Sequence, residues 1–232
     1  GRMLDATKAY DFTVTFGAAT ATEDAEGAVI ATSDVRPDAA AIAGILPRFT
    51  GPIDQVPPAY SALKVDGQRA YALARAGQTV ELATRHVTIH ALTLVAVTPD
   101  SATLSAVVSK GTYIRSLARD IAVALGSVGH VSMLRRTKAG PFGLEAAIAL
   151  DKLERLVQGA ALEQALLPVM AGLDDIPALA VDPAEAAALR QGRRLFGHPA
   201  KPGTYLACLG SVPVALVEID REAVRVLRGF NL

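Results

Sequence analysis

The sequence predicts an α+β protein with an antiparallel or mixed sheet, followed by a small β-rich module. Three observations predict it. Runs of strand periodicity and runs of helix periodicity are interspersed, without the strict β-α-β alternation of a parallel sheet. Of 232 residues, 51% are apolar, enough to bury a sizeable core and too many for a disordered chain. The stretch from Pro168 to Pro183 is acidic and carries three prolines, a composition suited to a domain boundary. The expected domains are 1–170 and 175–232.

The elements follow in order. Residues 9–16 alternate and are rich in β-branched and aromatic types, which predicts a strand. Glu23 to Gly27 is a polar turn, and Ala28-Val29-Ile30 a second short strand. Pro37 opens an apolar periodic stretch to Leu46, a helix that Pro47 stops. Gly51-Pro52 and Pro57-Pro58 bracket a loop. Gln68 to Ala76 reads as a short helix closed by Gly77. Residues 85–97 and 101–108 are β-branched runs joined by a turn at Thr98-Pro99-Asp100-Ser101. After Gly111-Thr112, Ile114, Leu117, Ala118, Ile121 and Leu125 have helical spacing, and Gly126 suits the left-handed position past the end. Residues 147–157 and 161–167 look helical. A helix at 183–190 then precedes strands near 204–209, 212–219 and 223–228.

Composition excludes several classes. Lys plus Arg and Asp plus Glu both number 23, so there is no polycationic tail. A single cysteine, Cys208, excludes a disulfide framework and a Cys-rich zinc module, and it suits a reducing compartment. The longest uncharged run, 202–217, is too short and too broken by Pro and Gly to span a membrane. Ser109-Lys110-Gly111-Thr112 has the wrong order for a P-loop, and no Gly-x-Gly-x-x-Gly or Gly-x-Ser-x-Gly occurs. His86 and His90 sit in a strand-like run, about 13 Å apart along it, too far to share one metal. No metal or cofactor is expected.

Charge is uneven along this neutral chain. From Ser109 to Gly140, Lys110, Arg115, Arg119, Arg135, Arg136 and Lys138 face Asp120 alone. From Arg190 to Lys201, Arg190, Arg193, Arg194 and Lys201 meet no acid. Between Asp151 and Glu185 acids dominate. Two basic islands could hold a polyanion along a track, or could be ordinary solvated surface. Arg115 and Arg119, four residues apart, share a helix face near a helix start, where a phosphate or a partner carboxylate is the natural ligand.

The run Ser109-Lys-Gly-Thr-Tyr-Ile-Arg-Ser-Leu-Ala-Arg-Asp120 and the run His130-Val-Ser-Met-Leu-Arg-Arg136 closely resemble the TruB family of tRNA pseudouridine-55 synthases. Lys8-Ala9-Tyr10, Thr22 to Gly27, Phe49-Thr50-Gly51, Gln55 to Gly67 and Tyr71 to Arg75 resemble further family blocks in family order. The resemblance runs from about residue 3 to residue 150. The tail from about 175 looks like the small PUA-like RNA-binding module of many members, with Arg190-Gln-Gly-Arg-Arg194 as its basic signature.

The resemblance implies isomerisation of uridine 55 in the tRNA T-loop, with an Asp nucleophile, base flipping and no cofactor. It matches Tyr10 to the residue that stacks on the flipped base, Tyr113 and Leu134 to pocket walls, and Arg115 to the ion-pair partner of the catalytic Asp. Sheet packing for Tyr10 and core packing for Leu134 are the bland alternatives. Lys110, Arg119, Arg135, Arg136, Arg190, Arg193 and Arg194 are the RNA-binding candidates. The implied partner is tRNA, through T-loop and acceptor region, for a cytoplasmic protein expected to be a monomer.

The family's catalytic Asp lies in a Gly-His-x-Gly-x-Leu-Asp-Pro block, upstream of the Lys-x-Tyr strand. Here the chain begins at Gly1-Arg2, and Leu4-Asp5 lacks both the preceding Gly-His and the following Pro. The expectation is that the nucleophile is missing from these 232 residues and that they do not convert uridine alone. The alternative function is a non-catalytic RNA-binding protein.

Overall fold

The computed structural model describes residues 2–173 and 175–230, so Asp174 of the acidic segment lies outside the described residues. The chain divides into two compact units, Gly1–Leu144 and Glu145–Leu232. The stretch Pro168 to Pro183, expected as a boundary, lies inside the second unit.

The first unit opens with a short helix α1 (Arg2–Asp5), the long strand β1 (Lys8–Phe16), and the pair β2 (Ala18–Thr20) and β3 (Val29–Thr32). Helix α2 (Ala39–Ile45), strand β4 (Gly51–Gln55), a small pair β5 (Lys64–Val65) and β6 (Gln68–Arg69), and helix α3 (Ala70–Arg75) follow. Then come β7 (Arg85–Val97), β8 (Ser101–Val108), α4 (Ile114–Ala124), β9 (Gly129–Ala139) and β10 (Phe142–Gly143). Six strands form one antiparallel sheet in the order β10-β9-β1-β8-β7-β4.

Alternation decides which face of this sheet is covered. In β8 every second residue, Ala102, Leu104, Ala106 and Val108, is buried, while Ser101, Thr103 and Ser105 are only half-buried. Phe12, Val14 and Phe16 of β1 join the same layer, and Ile114, Leu117, Ala118, Ile121 and Ala122 of α4 with Ile42 and Ile45 of α2 close it. The opposite face carries hydroxyls, with Thr13 bonded to Thr103 (2.9 Å) and Thr15 to Ser132 (2.7 Å). One buried and one polar face is the usual antiparallel arrangement.

Two strands depart from the expected reading. Gly51–Gln55 is β4 rather than a loop, because Pro52 sits on the sheet's outermost strand, where a missing N–H donor is tolerated. β9 has no apolar alternation beyond Val131, since most of its later residues are exposed, yet it pairs with β1 along nine positions. Gly77 and Gly126 take left-handed φ values of 73° and 72°, ending α3 and α4 as their sequence positions suggest.

The second unit contains α5 (Leu150–Gln158), β11 (Ala178–Ala180), α6 (Pro183–Arg190), β12 (Leu195–Phe196), β13 (Gly203–Leu209), β14 (Val212–Ile219) and β15 (Ala223–Gly229). The stretch expected to be helical at 161–167 forms only a 3-10 turn, Leu162–Ala165. The sheet order is β11-β13-β14-β15-β12, parallel at β11–β13 and antiparallel elsewhere. Asp182 caps α6 by accepting from Glu185 N, while the Glu185 carboxylate accepts from Asp182 N, a reciprocal cap.

Asp220 closes the β14–β15 hairpin. Its carboxylate accepts from the backbone N–H of Glu222 and of Ala223, both at 2.8 Å, and these bonds hold its pKa below the ordinary 3.8. A folded value below the unfolded one adds stability that is full above the ordinary carboxylate range and fades as pH falls through the folded value. Asp220→Ala should therefore lower the melting temperature at neutral pH, and the gap to wild type should narrow on acidification. A gap that is constant with pH would contradict the assignment.

Candidate active site

Two elements converge on the first turn of α4. The first is the edge strand β4, whose last residue, Gln55, is only 1% exposed. Its amide donates to Tyr113 O (3.1 Å) and accepts from Tyr113 N (2.8 Å). Tyr113 is the N-cap of α4 and has no side-chain cap of its own. Gln55 thus satisfies both backbone groups at the helix entrance and fixes where the helix begins.

The second is the acidic turn 22–27 between β2 and β3. Thr20 Oγ1 donates to Asp24 O (2.6 Å), and Thr22 Oγ1 (2.5 Å) and Glu26 N (3.1 Å) both bond Asp24 Oδ1. A Cβ on Gly27 would lie 2.5 Å from Thr22 Oγ1, so the tight closure requires glycine. Val131 N of β9 donates to Glu23 O (3.0 Å), which ties the turn to the main sheet.

Arg115 lies between these supports. Its Nη1 donates to Thr22 O and Asp24 Oδ2, each at 2.9 Å, and its Nη2 to Tyr60 O, also at 2.9 Å. The side chain is 23% exposed and that of Asp24 26%. One turn on, Arg119 pairs with Glu23 (2.5 Å) and Asp120 (2.8 Å) and donates to Val56 O (3.0 Å). Burial pushes the Glu23 carboxyl above its ordinary pKa, against the opposing pull of Arg119.

Beside Arg115 opens a hollow of about 270 Å³, lined also by Asp24, Ala25, Glu26 and the β9 residues Val131 to Leu134. Leu134 is 48% exposed, so it is a wall of this hollow and not a core residue. It pairs with Phe12 across β1–β9, which places it on the sheet face that α4 covers. Tyr10, two residues before Phe12, lies on that same face and packs against the core. It lines a larger hollow of about 710 Å³ with Lys8, Arg85 to Val87 and Val108 to Thr112. Tyr10, Leu134 and Arg115 thus share one side of the sheet but divide between two hollows, and neither lining includes Tyr113.

The cationic candidates also divide. Lys110 pairs with Asp5 at 2.5 Å, and this bond holds the Asp5 carboxyl below its ordinary pKa. Arg119 is engaged by acids, as described above. Arg135 and Arg136 are exposed on β9. Arg190 ends α6, and Arg193 and Arg194 stand exposed in the loop before β12. No ion pair among the described residues holds these last three. His86 pairs with Asp54, its register partner on β4.

Sequence reasoning left Arg115 awaiting an acid and missed which one. Asp24 lies in the acidic turn 22–27, to which the local sequence assigns no role. The signal was two consecutive acids, Glu23 and Asp24, matching two arginines on one helix face. Gln55 likewise has no role from its local sequence, although a polar residue that ends a strand beside a proline loop suits a backbone-capping position.

Comparison with known proteins supplies the family. Residues 1–114 match the family model described as TruB family pseudouridylate synthase (N terminal domain), and residues 115–174 match the tRNA pseudouridylate synthase B C-terminal domain. The chain is 63% identical to the tRNA pseudouridine synthase B of Novosphingobium aromaticivorans, covering all of this chain and 78% of the relative. It is 54% identical to that of Zymomonas mobilis, covering all of this chain and 76% of the relative. A solved H/ACA RNP bound to a substrate RNA containing 2'-deoxyuridine shares the fold, with a TM-score of 0.70 and 19% identity over 99% of this chain and 68% of the other. A Cbf5-Nop10-Gar1 complex gives 0.71 and 23% over 98% and 68%. With both halves of the Arg115 site inside the matched residues, this chain belongs to the TruB family of pseudouridylate synthases.

Proposed function

We propose that this chain is a tRNA pseudouridine synthase acting on uridine 55 of the T-loop. The observation that carries the reading is Arg115, held on three acceptors beside an apolar-walled hollow within the matched motif. The reaction breaks the C1′–N1 bond of uridine and joins C1′ to C5. N1 gains a proton and C5 loses one, so the isomerisation is redox-neutral. A flipped base needs a stacking face and an apolar wall, roles proposed for Tyr10 and Leu134, which share one sheet face although they line separate hollows, with Tyr113 at the helix entrance. Arg115 suits the partner of the nucleophilic carboxylate, keeping it ionised and oriented.

No carboxylate among the described residues is assigned as nucleophile. Asp24 already spends Oδ1 on Thr22 and Glu26 and Oδ2 on Arg115, which suits positioning rather than attack. Asp5 is taken by Lys110.

The β-rich segment 175–232 is proposed as a PUA-like module. Arg190, Arg193 and Arg194 would meet the backbone of the acceptor region, and Arg135 and Arg136 phosphates nearer the T-loop. We place the protein in the cytoplasm as a monomer. The non-catalytic alternative has less support, because the relatives are named as synthases over nearly the whole chain. The test is release of tritium from tRNA labelled at uridine C5, since that hydrogen leaves as the new bond forms. Release by the protein as the cell makes it supports the reading, and tRNA binding without release would favour the alternative.

A further inference from the structure

Successive side chains of an extended chain point to opposite sides. Glu23 and Asp24 are consecutive, yet both reach the same face of α4, Asp24 to Arg115 and Glu23 to Arg119. The backbone explains how. Glu23 has φ of 63°, in the left-handed region that a residue with a Cβ seldom adopts and at a cost of roughly 1 kcal/mol or more. That turn brings the two carboxylates to one side.

Contacts on every polar group of Glu23 hold it there. Its N–H donates to Thr20 O (3.1 Å) and its carbonyl accepts from Val131 N (3.0 Å). Its carboxylate accepts from Ser116 Oγ (3.2 Å) and Arg119 Nη1 (2.5 Å). The Glu23 side chain is 15% exposed, so its pair is shielded from solvent more than most surface pairs. Ser116 is fully buried, which makes this anchor part of the helix's packed side.

We infer that Glu23 is a positioning residue for uridine isomerisation: its left-handed backbone and its pair with Arg119 hold the Asp24 carboxylate on Arg115 and so set the direction of that guanidinium. This rests on the proposed function. Glu23 makes no bond to Arg115; its carbonyl meets Val131 N in the wall of the Leu134 hollow, and its carboxylate acts on Arg115 through the neighbouring Asp24. Displacement of a catalytic geometry by about 1 Å costs up to roughly a hundredfold in rate.

The experiment compares wild type, Glu23→Asn, Arg119→Gln and the exchange Glu23→Arg with Arg119→Glu, in the protein as the cell makes it. Asparagine tolerates left-handed φ, so Glu23→Asn removes the carboxylate without adding strain. The readouts are kcat and KM for tRNA by tritium release, with melting temperature alongside. The expected result is a fall in kcat of roughly tenfold or more for each single variant, with KM within about twofold, and partial recovery in the exchange. A wild-type kcat in Glu23→Asn would overturn the inference and leave the proposed function standing. So would a loss that tracks melting temperature alone with no recovery in the exchange. A wild type without tritium release would overturn the proposed function, and this inference with it.

Discussion

Replacing Arg115 by Met should lower kcat by roughly a hundredfold to a thousandfold and leave tRNA affinity within about twofold. The substitution keeps an unbranched stem for packing but removes donors to Thr22 O, Asp24 Oδ2 and Tyr60 O. Asp24 is then a half-buried carboxylate without its cation, and the reacting carboxylate loses its orienting partner. Arg115→Lys should do only part of the damage, because an ammonium keeps the charge but lacks the fork that spans Asp24 and Tyr60. Arg193→Ala gives the opposite pattern. It is exposed in the loop before β12, where a phosphate contact supplies affinity. Its loss should weaken tRNA binding and reduce the slope of log affinity against log salt by about one, with kcat at saturating tRNA unchanged. A loss in kcat from Arg115→Met no larger than its loss in affinity would refute the catalytic role.

Gln55→Leu should destabilise the first unit by about 1–3 kcal/mol, measured by urea unfolding. Leucine fills similar space but leaves Tyr113 N without a partner at a nearly solvent-free position, while Tyr113 O keeps only the helical bond from Leu117 N (3.0 Å). Each orphaned backbone group costs roughly 1–3 kcal/mol. The damage should concentrate at the entrance of α4, so amide exchange at Ile114 to Leu117 should quicken before that of β8. Gln55→Glu retains one acceptor for Tyr113 N but loses the donor for Tyr113 O, and should fall between the two. Stability within about 0.5 kcal/mol of wild type in Gln55→Leu would show that the helix entrance finds other partners.

How far the sequence revealed this fold depended on whether burial wrote a period into it. β8 alternates polar and apolar from Ser101 to Val108 because one of its faces meets α4, and its identity was plain. α4 was equally plain from Ile114, Leu117, Ala118 and Ile121, all buried on one side. β9 carries no such record past Val131, since its outer half is exposed and charged and its strand conformation comes from pairing with β1. The same logic separates the site residues. Arg115 was visible because its motif is local. Its acid was not, because Asp24 lies 91 residues away in a turn whose position depends on Glu23, Thr22 and Val131. Tyr10 and Leu134 were brought to one sheet face through the β1–β9 register, which no local pattern encodes.

The most direct test of the whole account compares two tRNA transcripts labelled at uridine C5, one natural and one with cytidine in place of uridine 55, each incubated with the protein as the cell makes it. Tritium release is expected from the natural transcript, approaching one equivalent per tRNA, and none above background from the cytidine transcript. No release from the natural transcript, or equal release from both, would contradict it.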